Sequence, residues 1–126
     1  MKPFDEIPPG ITREQALQVQ AEHVVSPAGI QVLSTPMMIR FMELNSADLI
    51  RPLLPAGLAS VGYEVYVRHK APAFLGAEIT VWTKLLEADG RKLLFEVRVS
   101  EGEKLIGEGT HRRTIVPVHQ DVGIPQ

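Results

Sequence analysis

The longest apolar stretch of the chain lies between Thr35 and Arg51. Its hydrophobic residues fall on almost every side of a 3.6-residue helical turn: Met37, Met38, Ile39, Phe41, Met42, Leu44, Leu49 and Ile50. A helix that is apolar nearly all round is buried, so other elements must surround it. Thr35 followed by Pro36 predicts the helix start, because a hydroxyl caps the first turn and proline there loses no needed donor. Pro52 predicts an end near Arg51.

Four runs with the composition of strands follow this helix. They cover residues 59–69, 77–87, 92–100 and 104–116. Asp89-Gly90 and Glu101-Gly102 separate the last three runs, which predicts an antiparallel meander. An earlier run over 16–25, which Ser26-Pro27-Ala28-Gly29 ends, predicts one further strand. A long helix wrapped by a curved antiparallel sheet of about five strands is an α+β architecture.

Length and composition narrow the class of protein. With 126 residues, 44% of them hydrophobic, we expect a single domain over 1–126 that would bury more surface by pairing with a copy of itself. The proline-rich residues 1–10 predict a tail or surface arm. A formal net charge of −2 does not favour binding to nucleic acid or to an anionic membrane. Because the chain has no cysteine, disulfides and thiolate chemistry are excluded.

Signals for location, metals and cofactors are sparse. No stretch approaches the roughly 18 apolar residues of a membrane span, and no apolar leader follows the first residue, so we expect a cytoplasmic protein without membrane contact. No two of His23, His69, His111 and His119 have helical metal-binding spacing, so no metal is expected. No glycine-rich phosphate loop opens a helix, and we expect no cofactor.

Three polar or ionisable residues lie within or beside apolar segments of the chain. Glu43 is a carboxylate within the apolar helix, and its alternative role is a surface i,i+3 pair with Arg40. His69 is in phase with alternate apolar residues over 59–67, so it is expected to point toward the helix, as a core residue or as a proton carrier. Thr35 is either a helix cap or part of a reaction centre.

The order and spacing of these residues resemble the hotdog-fold acyl-CoA thioesterases of the fluoroacetyl-CoA thioesterase type. Glu43 follows Thr35 by eight residues, and His69 follows Glu43 by 26. The resemblance runs over about residues 18–116, and the segments that support it read STPMMIRFMEL, VGYEVYVRHKAP and GEGTHRR. It implies a hotdog fold in which Thr35, Glu43 and His69 form the catalytic group.

The resemblance also implies roles for these residues. Glu43 would activate water or attack the thioester, His69 would pass a proton to the leaving thiolate, and Thr35 would attack or hold the water. The backbone N–H of Gly62 would help to hold the acyl group, although a strand glycine can instead mark a bulge or a close approach. Arg113 would lie near the acyl pocket.

The implied activity is hydrolysis of a small or short-chain acyl-CoA to the free acid and coenzyme A. The family enzyme for fluoroacetyl-CoA has bulky aromatic residues ahead of its threonine, whereas the matching stretch here is SPAGIQVL, which argues against fluoroacetate as the substrate. A second hypothesis is a non-catalytic dimer that binds or senses acyl-CoA. Arg68 and Lys70 flank His69 on the opposite strand face, so they would hold the coenzyme A phosphates or else form a solvated edge.

The resemblance further implies a homodimer or a higher homo-oligomer. In hotdog proteins the strand that ends at His69 pairs with its symmetry mate, which covers an otherwise open edge. An antiparallel pairing centred near Val65 and Tyr66 would bring Gly62 opposite the partner's His69. The active site would then be shared between two subunits.

Overall fold

One long helix lies against a five-stranded antiparallel sheet in the computed structural model, which describes residues 7–118. In chain order the elements are β1 (Thr12–Gln18), β2 (Val24–Val25), β3 (Val32–Leu33), α1 (Thr35–Ile50), β4 (Leu58–His69), β5 (Glu78–Asp89), β6 (Lys92–Glu101) and β7 (Lys104–Pro117). The main sheet has the order β1-β5-β6-β7-β4, and β2 pairs only with β3. The predicted α+β arrangement of helix and sheet is confirmed.

The core lies between α1 and the inner face of the sheet. Alternate residues of the three central strands are almost fully buried: Ile79, Val81, Leu85, Leu93, Phe95, Val97, Val99, Ile106 and Ile115. Met38, Met42 and Ile50 of the helix are equally buried. No helix within residues 7–118 is both long enough and apolar enough to cross a membrane.

A buried amide fixes the position of the helix over β1 and β5. Asn45 Nδ2 donates to the Arg13 carbonyl at 2.9 Å and to Thr83 Oγ1 at 3.0 Å, while its oxygen accepts from the Arg13 guanidinium. Asn45 is 1% exposed, so these bonds replace the water that the amide loses on burial. They anchor α1 to β1 and β5.

The start of α1 differs from the prediction by one residue. Ser34 has extended backbone angles and its Oγ accepts the Met37 N–H at 3.2 Å, so Ser34 is the cap. Thr35 is already helical, and the prediction that it caps the helix is wrong. Because Ser34 satisfies the backbone donor, the Thr35 hydroxyl is available for another contact. The helix ends at Ile50, close to the predicted end.

The chain before α1 also departs from the prediction. The single strand predicted over 16–25 is two short strands, because the Gln20 N–H donates to His23 Nδ1 at 2.9 Å and the intervening residues form a 3₁₀ turn. Of the predicted N-terminal arm, residues 1–6 lie outside the described part of the chain. Ile7 is buried, and the Gly10 N–H donates to the Leu85 carbonyl of β5.

A β-bulge at Tyr63 interrupts the alternation of β4. Gly62 pairs with Arg113 and Glu64 pairs with Arg112, so Tyr63 is the extra residue. The predicted alternation over 59–69 is therefore wrong for its first half: Gly62 faces the helix, whereas the Tyr63 ring lies 4.6 Å from Lys92 Nζ on the other face.

Strand β4 forms one edge of the sheet, and its free side carries apolar residues. It pairs with β7 on one side only. Val61 is 46% exposed, Tyr63 47% and Tyr66 76%. An open edge with exposed apolar side chains is typical of a strand that pairs with another chain.

Two glycines of β7 allow close packing against different elements. A Cβ on Gly107 would run into the Met38 side chain and lie 3.0 Å from the Arg68 carbonyl oxygen, so Gly107 makes room for the helix and for β4. A Cβ on Gly109 would run into the Tyr66 carbonyl and lie 2.6 Å from Val67 Cα. Gly109 therefore permits the close approach of β4.

Candidate active site

The start of α1 and the end of β4 bring a hydroxyl and an imidazole together. Thr35 Oγ1 lies 2.8 Å from His69 Nδ1. His69 Nε2 is buried and has no hydrogen-bond partner within residues 7–118. A buried ring nitrogen without a partner is available to exchange a proton with a substrate or water.

A cavity of about 370 Å³ adjoins this pair. Its wall is mostly apolar or small and includes Val25, Val32, Leu33, Ser34, Ala71 and Pro72. Within residues 7–118, no Phe, Tyr or Trp side chain contributes to the wall, in keeping with the SPAGIQVL stretch that precedes the helix. The cavity can hold a small group next to the Thr35 hydroxyl and the His69 ring.

Glu43 lines a different cavity, of about 260 Å³, eight residues along the helix. Arg40, Gly62 and Arg113 line the same cavity. A Cβ on Gly62 would lie 3.0 Å from Glu43 Oε2 and 3.2 Å from Arg113 Nη1, so only glycine fits there without displacing these groups. Within the described chain no ion pair joins Glu43 to Arg40, so the alternative of a surface i,i+3 pair is not found.

Arg113 is a buried cation beside Glu43. It is 8% exposed, its Nε donates to Ser60 Oγ at 2.8 Å, and its Nη2 donates to the Ser60 carbonyl at 2.9 Å. Burial lowers the pKa of Arg113, while the negative charge of Glu43 raises it. The adjacent Arg112 points to the opposite face, where its Nε lies 3.0 Å from Glu64 Oε2.

Sequence reasoning missed His111, which completes this cluster. His111 is 1% exposed and its ring lies 6.1 Å from that of Phe95, in a stacked orientation. Its Nδ1 is 2.8 Å from the Glu64 carbonyl and its Nε2 is 3.2 Å from Arg113 Nη1. The available signal was its position two residues before Arg113, which places both side chains on one strand face.

A single chain keeps these two groups of residues apart. Eight helical residues separate Thr35 from Glu43, which is about 12 Å along the helix axis. Seven strand residues separate Gly62 from His69, which is about 23 Å along β4. One subunit therefore brings together Thr35 with His69, and Glu43 with Gly62 and Arg113, but not all of them.

Arg68 and Lys70 lie on the outer face of the sheet, and Lys70 also lines the cavity beside Thr35 and His69. They line a groove of about 440 Å³ together with Tyr66, Glu96 and Glu108. Lys70 Nζ lies 2.7 Å from Glu108 Oε2, and this hydrogen bond and the charge of Lys70 lower the pKa of Glu108. Arg68 is exposed and its side chain faces the same groove.

No cluster of three or more His, Cys, Asp or Glu side chains among residues 7–118 could hold a metal ion. His23 caps the 3₁₀ turn, and His119 lies outside the described residues.

Comparison with solved structures defines the class of protein as hotdog-fold. A hot-dog-like protein from Thermanaerovibrio acidaminovorans matches with a TM-score of 0.87 and 22% identity, covering 98% of this chain and 93% of that one. The fluoroacetyl-CoA thioesterase FlK matches with a TM-score of 0.85 and 26% identity, covering 94% and 95%. The predicted hotdog fold is confirmed.

The chain belongs to the fluoroacetyl-CoA-specific thioesterase family, whose sequence profile matches residues 11–119. It is 33% identical over 86 residues to the fluoroacetyl-CoA thioesterase of Streptantibioticus cattleyicolor. This match covers 68% of the chain and 62% of that relative, which is less than two thirds of the relative's length. The resemblance drawn from the sequence is confirmed at the level of the family.

Proposed function

We propose that this protein, a single hotdog domain over residues 1–126, hydrolyses a small or short-chain acyl-CoA to the free acid and coenzyme A. The observation that best supports the proposal is the 2.8 Å contact between Thr35 Oγ1 and His69 Nδ1, with His69 Nε2 unpartnered beside a cavity. Hydrolysis of a thioester needs a nucleophile, a proton carrier and donors for the developing oxyanion. The candidate residues supply each of these groups.

The proposed reaction adds water across the thioester bond. Glu43 takes a proton from the attacking water or attacks the carbonyl itself, and Thr35 attacks or holds the water. When the carbon–sulfur bond breaks, His69 gives a proton to the leaving thiolate of coenzyme A, and the proton taken from the attacking group passes back to His69. If Glu43 or Thr35 attacks the carbonyl itself, water hydrolyses the resulting acyl-enzyme in a second step and releases the free acid. The Gly62 N–H donates to the carbonyl oxygen as it gains negative charge, and Arg113 adds a positive charge nearby.

We propose that the working unit is a homodimer, because one chain keeps Glu43 in a different cavity from Thr35 and His69. The open edge of β4 and its exposed apolar residues support pairing with a second copy. With the pairing centred between Val65 and Tyr66, Gly62 lies opposite the partner's His69. Each active site then combines Glu43 of one subunit with Thr35 and His69 of the other.

Mixing two inactive variants tests this shared site. The Thr35→Ala and Glu43→Ala homodimers should each be inactive, because every site lacks one group. After unfolding and refolding together in equal amounts, half of the dimers are mixed, and each mixed dimer has one intact site. The mixture should recover about one quarter of the wild-type rate.

The matched control mixes Thr35→Ala with His69→Ala. These residues belong to the same half of a site, so both sites of the mixed dimer remain defective and no rate should return. Recovery in the control, or no recovery in the first mixture while light scattering finds a mass of about twice 13.9 kDa, contradicts the shared site. A mass of 13.9 kDa contradicts the dimer itself.

A small aliphatic acyl group fits the proposed function best. The cavity beside Thr35 and His69 has a volume of about 370 Å³, and none of the described Phe, Tyr and Trp side chains lines it. A panel of acyl-CoA thioesters, assayed by release of free thiol, is expected to show fastest turnover with short chains and no preference for fluoroacetyl-CoA over acetyl-CoA. Binding without thiol release would instead support the non-catalytic acyl-CoA binding or sensing dimer.

Because acyl-CoA is made and used inside cells, we propose a cytoplasmic location.

A further inference from the structure

We propose that His111 is a positioning residue: as a neutral ring with its hydrogen on Nδ1, it accepts a hydrogen bond from Arg113 and holds that guanidinium beside Glu43. The catalytic consequence of this inference rests on the proposed thioesterase function. The geometry of the cluster does not depend on that function and is tested separately below.

The partners of the two ring nitrogens determine the tautomer of His111. A guanidinium has N–H donors and no acceptor, so at 3.2 Å from Arg113 Nη1 the His111 Nε2 must be the acceptor. The Glu64 carbonyl is an acceptor only, so at 2.8 Å the His111 Nδ1 must donate a hydrogen to it. Only the neutral ring with hydrogen on Nδ1 satisfies both partners.

The guanidinium of Arg113 is fixed by three contacts on three different nitrogens. Its Nε and Nη2 donate to the hydroxyl and the carbonyl of Ser60, and its Nη1 donates to His111. The Ser60 contacts hold one edge of the planar group, and the His111 contact fixes its remaining nitrogen. Without His111, Nη1 would turn toward another acceptor, and Glu43 is the negative charge that acts most strongly on Arg113. A direct ion pair would occupy the carboxylate that the reaction needs.

Gly62 and the bulge of β4 create the space for this arrangement. A Cβ on Gly62 would lie 2.8 Å from His111 Cε1, so the ring fits only beside glycine. The bulge shifts the register between Gly62 and Glu64, next to the carbonyl that His111 binds. The ring of Phe95 in β6 lies beside that of His111, with the two ring centroids 6.1 Å apart.

The charged groups around His111 also favour its neutral form. Arg113 lies on its own strand, Glu43 faces it from the helix, and Glu64 of β4 contributes its carbonyl while its carboxylate pairs outward with Arg112. Burial is the largest influence and lowers the pKa of His111, as does the charge of Arg113, against the opposing effects of the Glu64 carbonyl and Glu43.

Two substitutions separate the hydrogen bond from the packing of the ring. His111→Phe keeps a flat ring beside Phe95 but has no acceptor for Arg113, whereas His111→Gln keeps an acceptor and a donor. With a short-chain acyl-CoA, His111→Phe should lower kcat about tenfold or more with little change in KM, and His111→Gln should stay within about threefold of wild type. Equal kcat for wild type and His111→Phe, or equal losses in both variants, would overturn the positioning role.

Nitrogen-15 NMR of the wild-type ring tests the inference even if the phenylalanine variant does not fold. The expected spectrum has a protonated Nδ1 and an unprotonated Nε2, with the ring still neutral at pH 6.5, the ordinary histidine pKa. A hydrogen on Nε2, or a charged ring at that pH, would overturn the inference. If the wild-type protein releases no thiol from any acyl-CoA, the proposed function fails, while the NMR result still decides the state of His111.

Discussion

Two adjacent hydroxyls, Ser34 and Thr35, have separate roles at the start of α1. Ser34 caps the helix through the Met37 N–H, and Thr35 contacts His69. The sequence could not distinguish them, because both precede Pro36 and either hydroxyl could cap the first turn. Backbone angles decide the matter: Ser34 is extended, and the helix begins at Thr35.

Substitution of these neighbours should separate stability from activity. Ser34→Ala is expected to lower the free energy of unfolding by about 1 kcal/mol, because the Met37 N–H loses its acceptor. Thr35→Val keeps the side-chain shape and should leave that free energy within about 0.5 kcal/mol while lowering kcat by about 100-fold. Urea unfolding and a thiol-release assay measure the two effects. A stability loss in Thr35→Val equal to that in Ser34→Ala would make Thr35 a structural residue only.

His111 should make stability depend on pH. Because its pKa is lowered in the folded protein, the unfolded chain takes up a proton first as pH falls below about 6.5. The contribution of His111 is therefore complete above that pH and is lost as pH decreases, by up to about 1.4 kcal/mol per pH unit for one proton. Between about pH 7.5 and pH 5, wild type should lose stability more steeply than His111→Gln in urea titrations. If the free energy of unfolding changed equally with pH in wild type and in His111→Gln, the burial of His111 would not make stability depend on pH.

At the scale of secondary-structure elements, the apolar pattern and the turn residues predicted most of the helix and strand boundaries. The all-round apolar pattern predicted α1 to within a residue or two, and Asp89-Gly90 and Glu101-Gly102 predicted the last three strands. The bulge in β4 was not predictable, because its only mark in the sequence is Gly62, which fits several explanations. Without the bulge, the alternation assigned Tyr63 to the wrong face. His111 was missed for a different reason: its spacing of two residues from Arg113 indicates a shared strand face, but it does not show that both side chains are buried beside Glu43.

The close approach of β4 to β7 should be sensitive to a single methyl group. Gly109→Ala would place a Cβ against backbone atoms of Tyr66 and Val67, which cannot move without opening the strand pair. We expect it to lower the free energy of unfolding by about 3 kcal/mol or more. Gly107→Ala is the matched comparison, and it should cost less because the flexible Met38 side chain can move. Thermal or urea unfolding of both variants measures the difference, and an equal or smaller loss in Gly109→Ala contradicts this account.

At the scale of the whole molecule, the sequence predicted the candidate site residues. It did not predict that Thr35 and His69 would line one cavity of the chain and Glu43 another. Spacing along the chain places Thr35 and Glu43 on one helix, yet about 12 Å of helix axis separates them. Spacing therefore cannot show whether Glu43 acts with His69 of its own chain or with the partner's His69. The open edge of β4 favours the second arrangement.

The outer groove should affect how tightly coenzyme A binds rather than how fast the thioester reacts. Arg68→Gln combined with Lys70→Gln is expected to raise KM for an acyl-CoA about fivefold or more, because each exposed cation contributes about 1 kcal/mol or less. Lys70→Gln alone should have the smaller effect, since Glu108 already neutralises that cation. Wild-type KM should also rise with salt.

A thioester of N-acetylcysteamine lacks the phosphates and is the control for this prediction. The double variant should hydrolyse it at the wild-type rate. An equal loss on both substrates would assign Arg68 and Lys70 to the fold, and an unchanged KM for acyl-CoA would remove them from the binding site.

Strand β4 combines the exposed edge with both Gly62 and His69, so in the proposed dimer association and turnover would depend on the same twelve residues. If each site needs two chains, the rate per chain is constant at high concentration and declines once dilution separates the subunits. In that dilute range the total rate grows with the square of the protein concentration, and it recovers when the protein is concentrated again. Expression level would then act as a control on turnover, without any effector molecule.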